Sequence, residues 1–74
     1  MDYSPDDWVV LKLKAGKGTF PFYKVLAGWG GGYLDGDSWR MNSGINLVFD
    51  REDEIHFYGE SGSLYRCNKE AYGL

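Results

Sequence analysis

Two blocks of this 74-residue chain hold the side chains best suited to chemistry. The first supplies Tyr33, Ser38, Arg40, Asn42 and Ser43, and the second Tyr58, Ser61, Ser63 and Tyr65. Arg40 offers a planar fork of donors that matches a phosphate. Serine hydroxyls and an asparagine amide read sugars or base edges. Tyrosine rings give faces on which a base can stack, worth about 1–3 kcal/mol each in single-strand binders. Alternation along 38–42 puts Ser38, Arg40 and Asn42 on one side and Trp39 and Met41 on the other. Together this is equipment for holding a nucleotide. The competing structural reading has Trp39 and the tyrosines filling core and rim, with Arg40 in a surface ion pair. Residue chemistry by itself leans to that second reading, because aromatic bodies dominate cores as well as sites.

The other motifs point away from catalysis, and no cofactor is expected. Gly16-Lys17-Gly18-Thr19 lacks the first glycine and following helix of a phosphate loop, so it reads as a hairpin turn. Gly28-Trp29-Gly30-Gly31-Gly32 lacks the strand–turn–helix setting of a dinucleotide fingerprint. Two readings stay open for it: a wide, glycine-loosened loop, or a backbone lying close to a ligand or second subunit. Asp35-Gly36-Asp37 has too few ligands for calcium. His56 and Cys67 suggest a thiol–imidazole pair, but the expected hairpin register sets Cys67 against Glu54, and no third group is evident. Asp50, Glu52, Asp53 and Glu54 sit in a solvated turn, whereas acid–base pairs need one shielded member.

The elements that must position these residues read as strands throughout. Residues 8–14 begin as an apolar run and end alternating, with Val9, Leu11 and Leu13 expected inward and Lys12 and Lys14 in water. Residues 20–29 form a second strand whose Pro21 end belongs at a sheet edge, with Tyr23, Val25 and Ala27 sharing a face. A glycine-rich loop leads to a short strand at 38–41. Asn42-Ser43-Gly44 then turns the chain into 45–49, where Ile45, Leu47 and Phe49 are expected inward. Asp50-Arg51-Glu52-Asp53 makes a charged turn into 54–58. If Glu60-Ser61 forms the next tip, Phe57 opposes Leu64 and His56 opposes Tyr65. That register gives a core face of Ile55, Phe57 and Leu64 and an outer face of His56, Tyr58, Ser63 and Tyr65. Only Lys69-Glu70-Ala71-Tyr72 has room for one helical turn. The predicted fold is all-β: a small, strongly bent antiparallel sheet or SH3-like barrel of five to six short strands.

Composition bounds the function. The chain is 43% hydrophobic and 18% aromatic, too apolar for a disordered tail. Its length allows one small β domain, residues 1–74. It has no apolar run near the roughly 20 residues of a membrane span, and its acidic N-terminus does not read as a signal peptide. One cysteine and one histidine make neither a disulfide nor a structural zinc site. Residues 1–34 carry four lysines against three aspartates, and residues 35–74 carry eight acidic groups against four basic ones. That balance argues against duplex nucleic acid, which demands several phosphate contacts. It leaves room for a small anionic ligand. A domain this small, without disulfide or metal, also leans toward oligomerisation, the alternative being a compact monomer with a Trp/Tyr-rich core.

The stretch Gly31-Gly32-Tyr33-Leu34-Asp35-Gly36-Asp37-Ser38-Trp39-Arg40-Met41-Asn42-Ser43-Gly44-Ile45, with Phe57-Tyr58-Gly59-Glu60-Ser61-Gly62-Ser63-Leu64-Tyr65-Arg66-Cys67, resembles a family of short accessory proteins of tailed bacteriophages, the anti-CBASS sponge family. Such proteins sequester the cyclic dinucleotide or trinucleotide signals of bacterial immunity without cleaving them. The resemblance implies a non-enzymatic protein acting in the cytoplasm of the infected bacterial host. It further implies a homo-oligomer, a tetramer favoured, with ligand sites between or beside subunits. On this basis Trp39, Arg40, Asn42 and Ser43, with Tyr58, Ser61, Ser63 and Tyr65, carry the ligand. Relatives often continue past the position of Leu74. The alternative is an SH3-like adaptor or inhibitor that docks a host or phage protein through its aromatic face.

Overall fold

The computed structural model describes residues 1–14, 16–30 and 38–73. Seven strands run in chain order: β1 (Asp2–Tyr3), β2 (Asp7–Leu13), β3 (Phe22–Trp29), β4 (Ser38–Met41), β5 (Ile45–Asp50), β6 (Glu54–Gly59) and β7 (Leu64–Asn68). A 3-10 turn at Lys69–Ala71 follows, capped by the Asn68 side chain, which accepts from the Glu70 N–H. The architecture is all-β, as the alternation and glycine spacing predict. The six longer strands are those read from the sequence, and the two-residue β1 is an addition.

The strands form two sheets, ordered β1-β7-β6-β5 and β2-β3-β4. All pairings are antiparallel except β1 with β7, which is parallel. The core between the sheets comprises Trp8, Val25 and Ala27 from one and Phe57, Tyr65 and Cys67 from the other. Trp8 anchors it. Its ring packs 5.4 Å from Phe57 and 4.9 Å from Tyr72, and its indole N–H donates to the Asn68 carbonyl at 2.7 Å. The Gly73 N–H donates back to the Trp8 carbonyl, which fastens the end of the described chain to β2.

Three expectations are corrected. The first concerns the β6–β7 hairpin. Phe57 opposes Tyr65, His56 opposes Arg66, and Cys67 opposes Ile55 rather than Glu54. The Gly59 N–H donates to the Ser63 carbonyl, so the tip holds three residues, Glu60-Ser61-Gly62, with Gly62 at φ +91°. A three-residue tip with glycine at positive φ displaces the register by one, and a displacement of one exchanges the faces. Tyr65 and Cys67 therefore enter the core with Ile55 and Phe57. Leu64 leaves that face, though it remains buried.

The second concerns β2, where Trp8 and Val10 face the core while Val9, Leu11 and Leu13 lie on the other side, partly covered. The third concerns β5. A bulge between Ile45 and Leu47 breaks the alternation, so Ile45 meets the core while Leu47 and Phe49 turn to the opposite side. Leu47, Val48 and Phe49 are each about half exposed on this edge strand.

Candidate functional site

The β4 strand presents Arg40 at the open edge of the sandwich. Arg40 pairs with Ala27, so it leans toward the inter-sheet side, and Ser38, opposite Trp29, lies on the same side. The Arg40 guanidinium stacks 4.9 Å above the Tyr3 ring. Tyr3 in turn packs 4.8 Å from Tyr65 and 6.0 Å, edge-on, from Trp29. The result is an exposed cation on a three-ring platform. β1 places Tyr3 there by pairing it with Tyr65. A link from the Trp29 indole N–H to the Ser4 carbonyl, and another from the Gly30 N–H to Asp6, hold the same corner. Burial raises the Tyr65 phenol above its ordinary range, with Arg40 opposing that shift. The phenol thus stays neutral as a stacking group.

The remaining members of the sequence-derived set do not converge on this corner. Trp39 lies on the opposite face of β4, packed against Gly28, where a Cβ would come within 2.2 Å of its ring. Asn42 is buried rather than presented. Its Oδ1 accepts from the Val25 N–H at 2.9 Å and its own N–H donates to the Val25 carbonyl at 3.0 Å. It therefore continues the β3–β4 ladder one step beyond the strand. Its Nδ2 has no partner among the described residues.

Ser43 and Ser61 join each other. The Ser43 hydroxyl donates to Ser61 Oγ and accepts the Ser61 N–H at 3.0 Å. With the Glu60 N–H on the Gly44 carbonyl, this bond ties the β6–β7 tip to the β4–β5 link. Ser63 stands beside that tip, half-buried. Tyr58 is on the outer face of the four-stranded sheet, edge-on to Phe49. Tyr65 lies inside the core and contributes only as the floor beneath Tyr3. Tyr33 lies outside the described residues.

The sequence-derived set omits Tyr3, and for Trp29 the sequence leaves core, interface and ligand platform open. Tyr3 sits in a short acidic segment with no periodicity, and nothing local to it signals a parallel partner 62 positions away. The aromatic count was the only available hint.

Surface depressions occur elsewhere. One of about 450 Å³ is lined by Arg51, Glu52, Asp53, Glu54, His56 and Asn68, and two neighbours are bounded largely by acidic side chains. His56 Nε2 meets Glu54 Oε1 at 2.9 Å there. Such an acidic wall repels a phosphodiester. Among the described residues no group of three or more His, Cys, Asp or Glu side chains is arranged to hold a metal ion. Cys67 is buried and its thiol is pushed up to about 12, chiefly by desolvation, which makes it a poor nucleophile.

No known family model matches the sequence, and no curated protein or solved structure matches it.

Proposed function

We propose that the protein works by binding rather than turnover, and that it sequesters a cyclic oligonucleotide immune signal, a dinucleotide or trinucleotide, in a phage-infected bacterium. The observation that carries the reading is the exposed Arg40 guanidinium stacked on Tyr3, with Trp29 and Tyr65 behind it. The contact with Tyr3 holds the guanidinium over the ring, and among the described residues its donors make no hydrogen bond or ion pair, so they suit a phosphodiester. The neighbouring rings suit a base, and Ser38 supplies a hydroxyl on the same side. A homo-oligomer, a tetramer favoured, brings several such corners to one ligand. Sequestration needs no acid–base pair, and the acidic depressions play no part in it.

A second reading, docking of a host or phage protein, is favoured by one feature: Trp39 and Met41 stand about half exposed on the face of β4 opposite Arg40.

Recovery after sequestration tests the proposal. Purified protein is mixed with a panel of cyclic dinucleotides and trinucleotides, free nucleotide is quantified, and the protein is then heat-denatured and the nucleotide quantified again. The expected result is disappearance followed by intact return. Arg40→Ala abolishes tight binding and keeps the fold, since the exposed cation–π contact it deletes is worth only about 0.5–1 kcal/mol. A panel in which nothing disappears moves the function to protein docking. Loss that denaturation does not reverse would mean an enzyme.

A further inference from the structure

The three-stranded sheet is apolar on both faces. Its inner face supplies Trp8, Val25 and Ala27 to the core. Register sets out the other face in rows: Asp7–Gly28–Trp39, Val9–Leu26–Met41, Leu11–Lys24 and Leu13–Phe22. An antiparallel strand with one wet face alternates apolar with polar, but Trp8-Val9-Val10-Leu11 does not. Uninterrupted apolar runs belong to strands covered on both sides. Yet Phe22, Trp39 and Met41 are 41%, 47% and 44% exposed. The Trp39 ring rests on Gly28, where there is no room for a Cβ.

We infer that this outer face is where a second copy of the chain docks, sheet against sheet, with strands running in opposite directions about a two-fold axis. Two observations select a second copy. The first is the charge distribution. Lys24 lies on this face, Lys14 and Lys17 follow in the β2–β3 turn while Lys12 alternates to the other side, and residues 8–30 contain no acidic group. Asp6 and Asp7 stand at the other end of the sheet, both exposed. Reversing the strand direction across a two-fold sets each acidic end on a basic end twice over, so the surface is its own complement. A two-fold parallel to the strands would set like charge on like.

The second observation is size. Strand spacing of about 4.8 Å and a rise of about 3.3 Å per residue give a face of roughly 14 × 23 Å. Two such faces total roughly 640 Å² before side-chain relief, which brings the buried area toward the ~1,000 Å² of a specific interface. The apolar centre with charged ends also follows interface anatomy. The inference stands apart from the ligand reading, because it concerns the face of β4 opposite Arg40 and is tested without nucleotide.

The experiment is sedimentation of the whole protein across a concentration series. Wild type is expected to dimerise through this face, or to form a larger assembly containing the same contact. Leu11→Glu places a charge among the apolar rows of this face and should raise the dissociation constant at least about tenfold. Should that variant misfold by circular dichroism, the surface pair Asp7→Lys and Lys24→Glu decides instead. Each alone sets like charges together across the two-fold and weakens the dimer. Mixed, they restore opposite charges and form a heterodimer in preference to either homodimer. A wild type that stays monomeric at roughly 100 μM overturns the inference. So does an assembly that Leu11→Glu, folded, leaves intact, which would place the contact elsewhere, for instance on the β5 edge. A mixture with no preference for the heterodimer overturns the antiparallel arrangement.

Discussion

Asn42→Ala separates the structural from the ligand-binding reading of the 38–43 segment. Asn42 satisfies both backbone groups of Val25, the N–H through its side-chain oxygen and the carbonyl through its own N–H. Only the oxygen of an amide can accept, so the chemistry fixes the side-chain orientation. Alanine keeps the backbone bond and removes the side-chain acceptor. Val25 is wholly buried, so its N–H has no water to turn to. An unsatisfied buried donor costs about 1–3 kcal/mol. The substitution also removes the buried Nδ2, which has no partner among the described residues, and this offsets part of the loss. The net expectation is about 1–2 kcal/mol. At ~4–8 °C per kcal/mol for a domain of this size, Tm falls by roughly 5–15 °C. Scanning calorimetry measures this directly, with Ser38→Ala on the same strand as an exposed control expected within about 0.5 kcal/mol of wild type. A change in Tm below about 2 °C, accompanied by lost nucleotide binding, would refute the reasoning and return Asn42 to the ligand.

Three further outcomes follow from the core and the turns. Gly28→Ala drives a methyl into the Trp39 ring, so Trp39 must leave the sheet face, which shows as a shift of tryptophan emission together with lowered stability. Gly62→Ala strains the positive φ of the β6–β7 tip and costs about 1 kcal/mol or more by denaturant titration, while Gly16→Ala, with open space around it, costs less. The buried Cys67 thiol ionises at about 12 in the folded chain against an ordinary 9.0. Between those pH values the unfolded chain holds fewer protons than the folded one, so stability falls as pH rises, by at most about 1.4 kcal/mol per unit. Cys67→Ala should flatten that alkaline slope in denaturation curves above about pH 9; an unchanged slope would remove the thiol as its cause.

The strand inventory is legible from local pattern alone. Period-two alternation, the glycine turns and the charged Asp50–Asp53 turn are local signals, set by backbone sterics and by which side chains tolerate water. They marked six strands, the shared Tyr23–Val25–Ala27 face (of which Val25 and Ala27 are buried and Tyr23 is exposed), the divergence of Arg40 from Trp39, and the single helical turn near Lys69. Local rules also favoured strands without fixing their register. Whether the β6–β7 tip held two residues or three, and whether β5 carried a bulge, altered which side chains were inside. A one-residue difference has little local energy yet moves Tyr65 from the outer face to the core, where it packs with Trp8 and Val25.

The candidate site shows the same division. Arg40 was legible as an exposed donor because alternation alone aims it. Its partner Tyr3 was not, since that contact depends on a parallel pairing between the chain's first strand and its last. Asn42 is ambiguous in the sequence because its residue type suits a ligand as well as it suits a strand end, and only the position of Val25 across the ladder places it inside. Local chemistry names the side chains available; long-range pairing, which no local signal encodes, decides which of them meet.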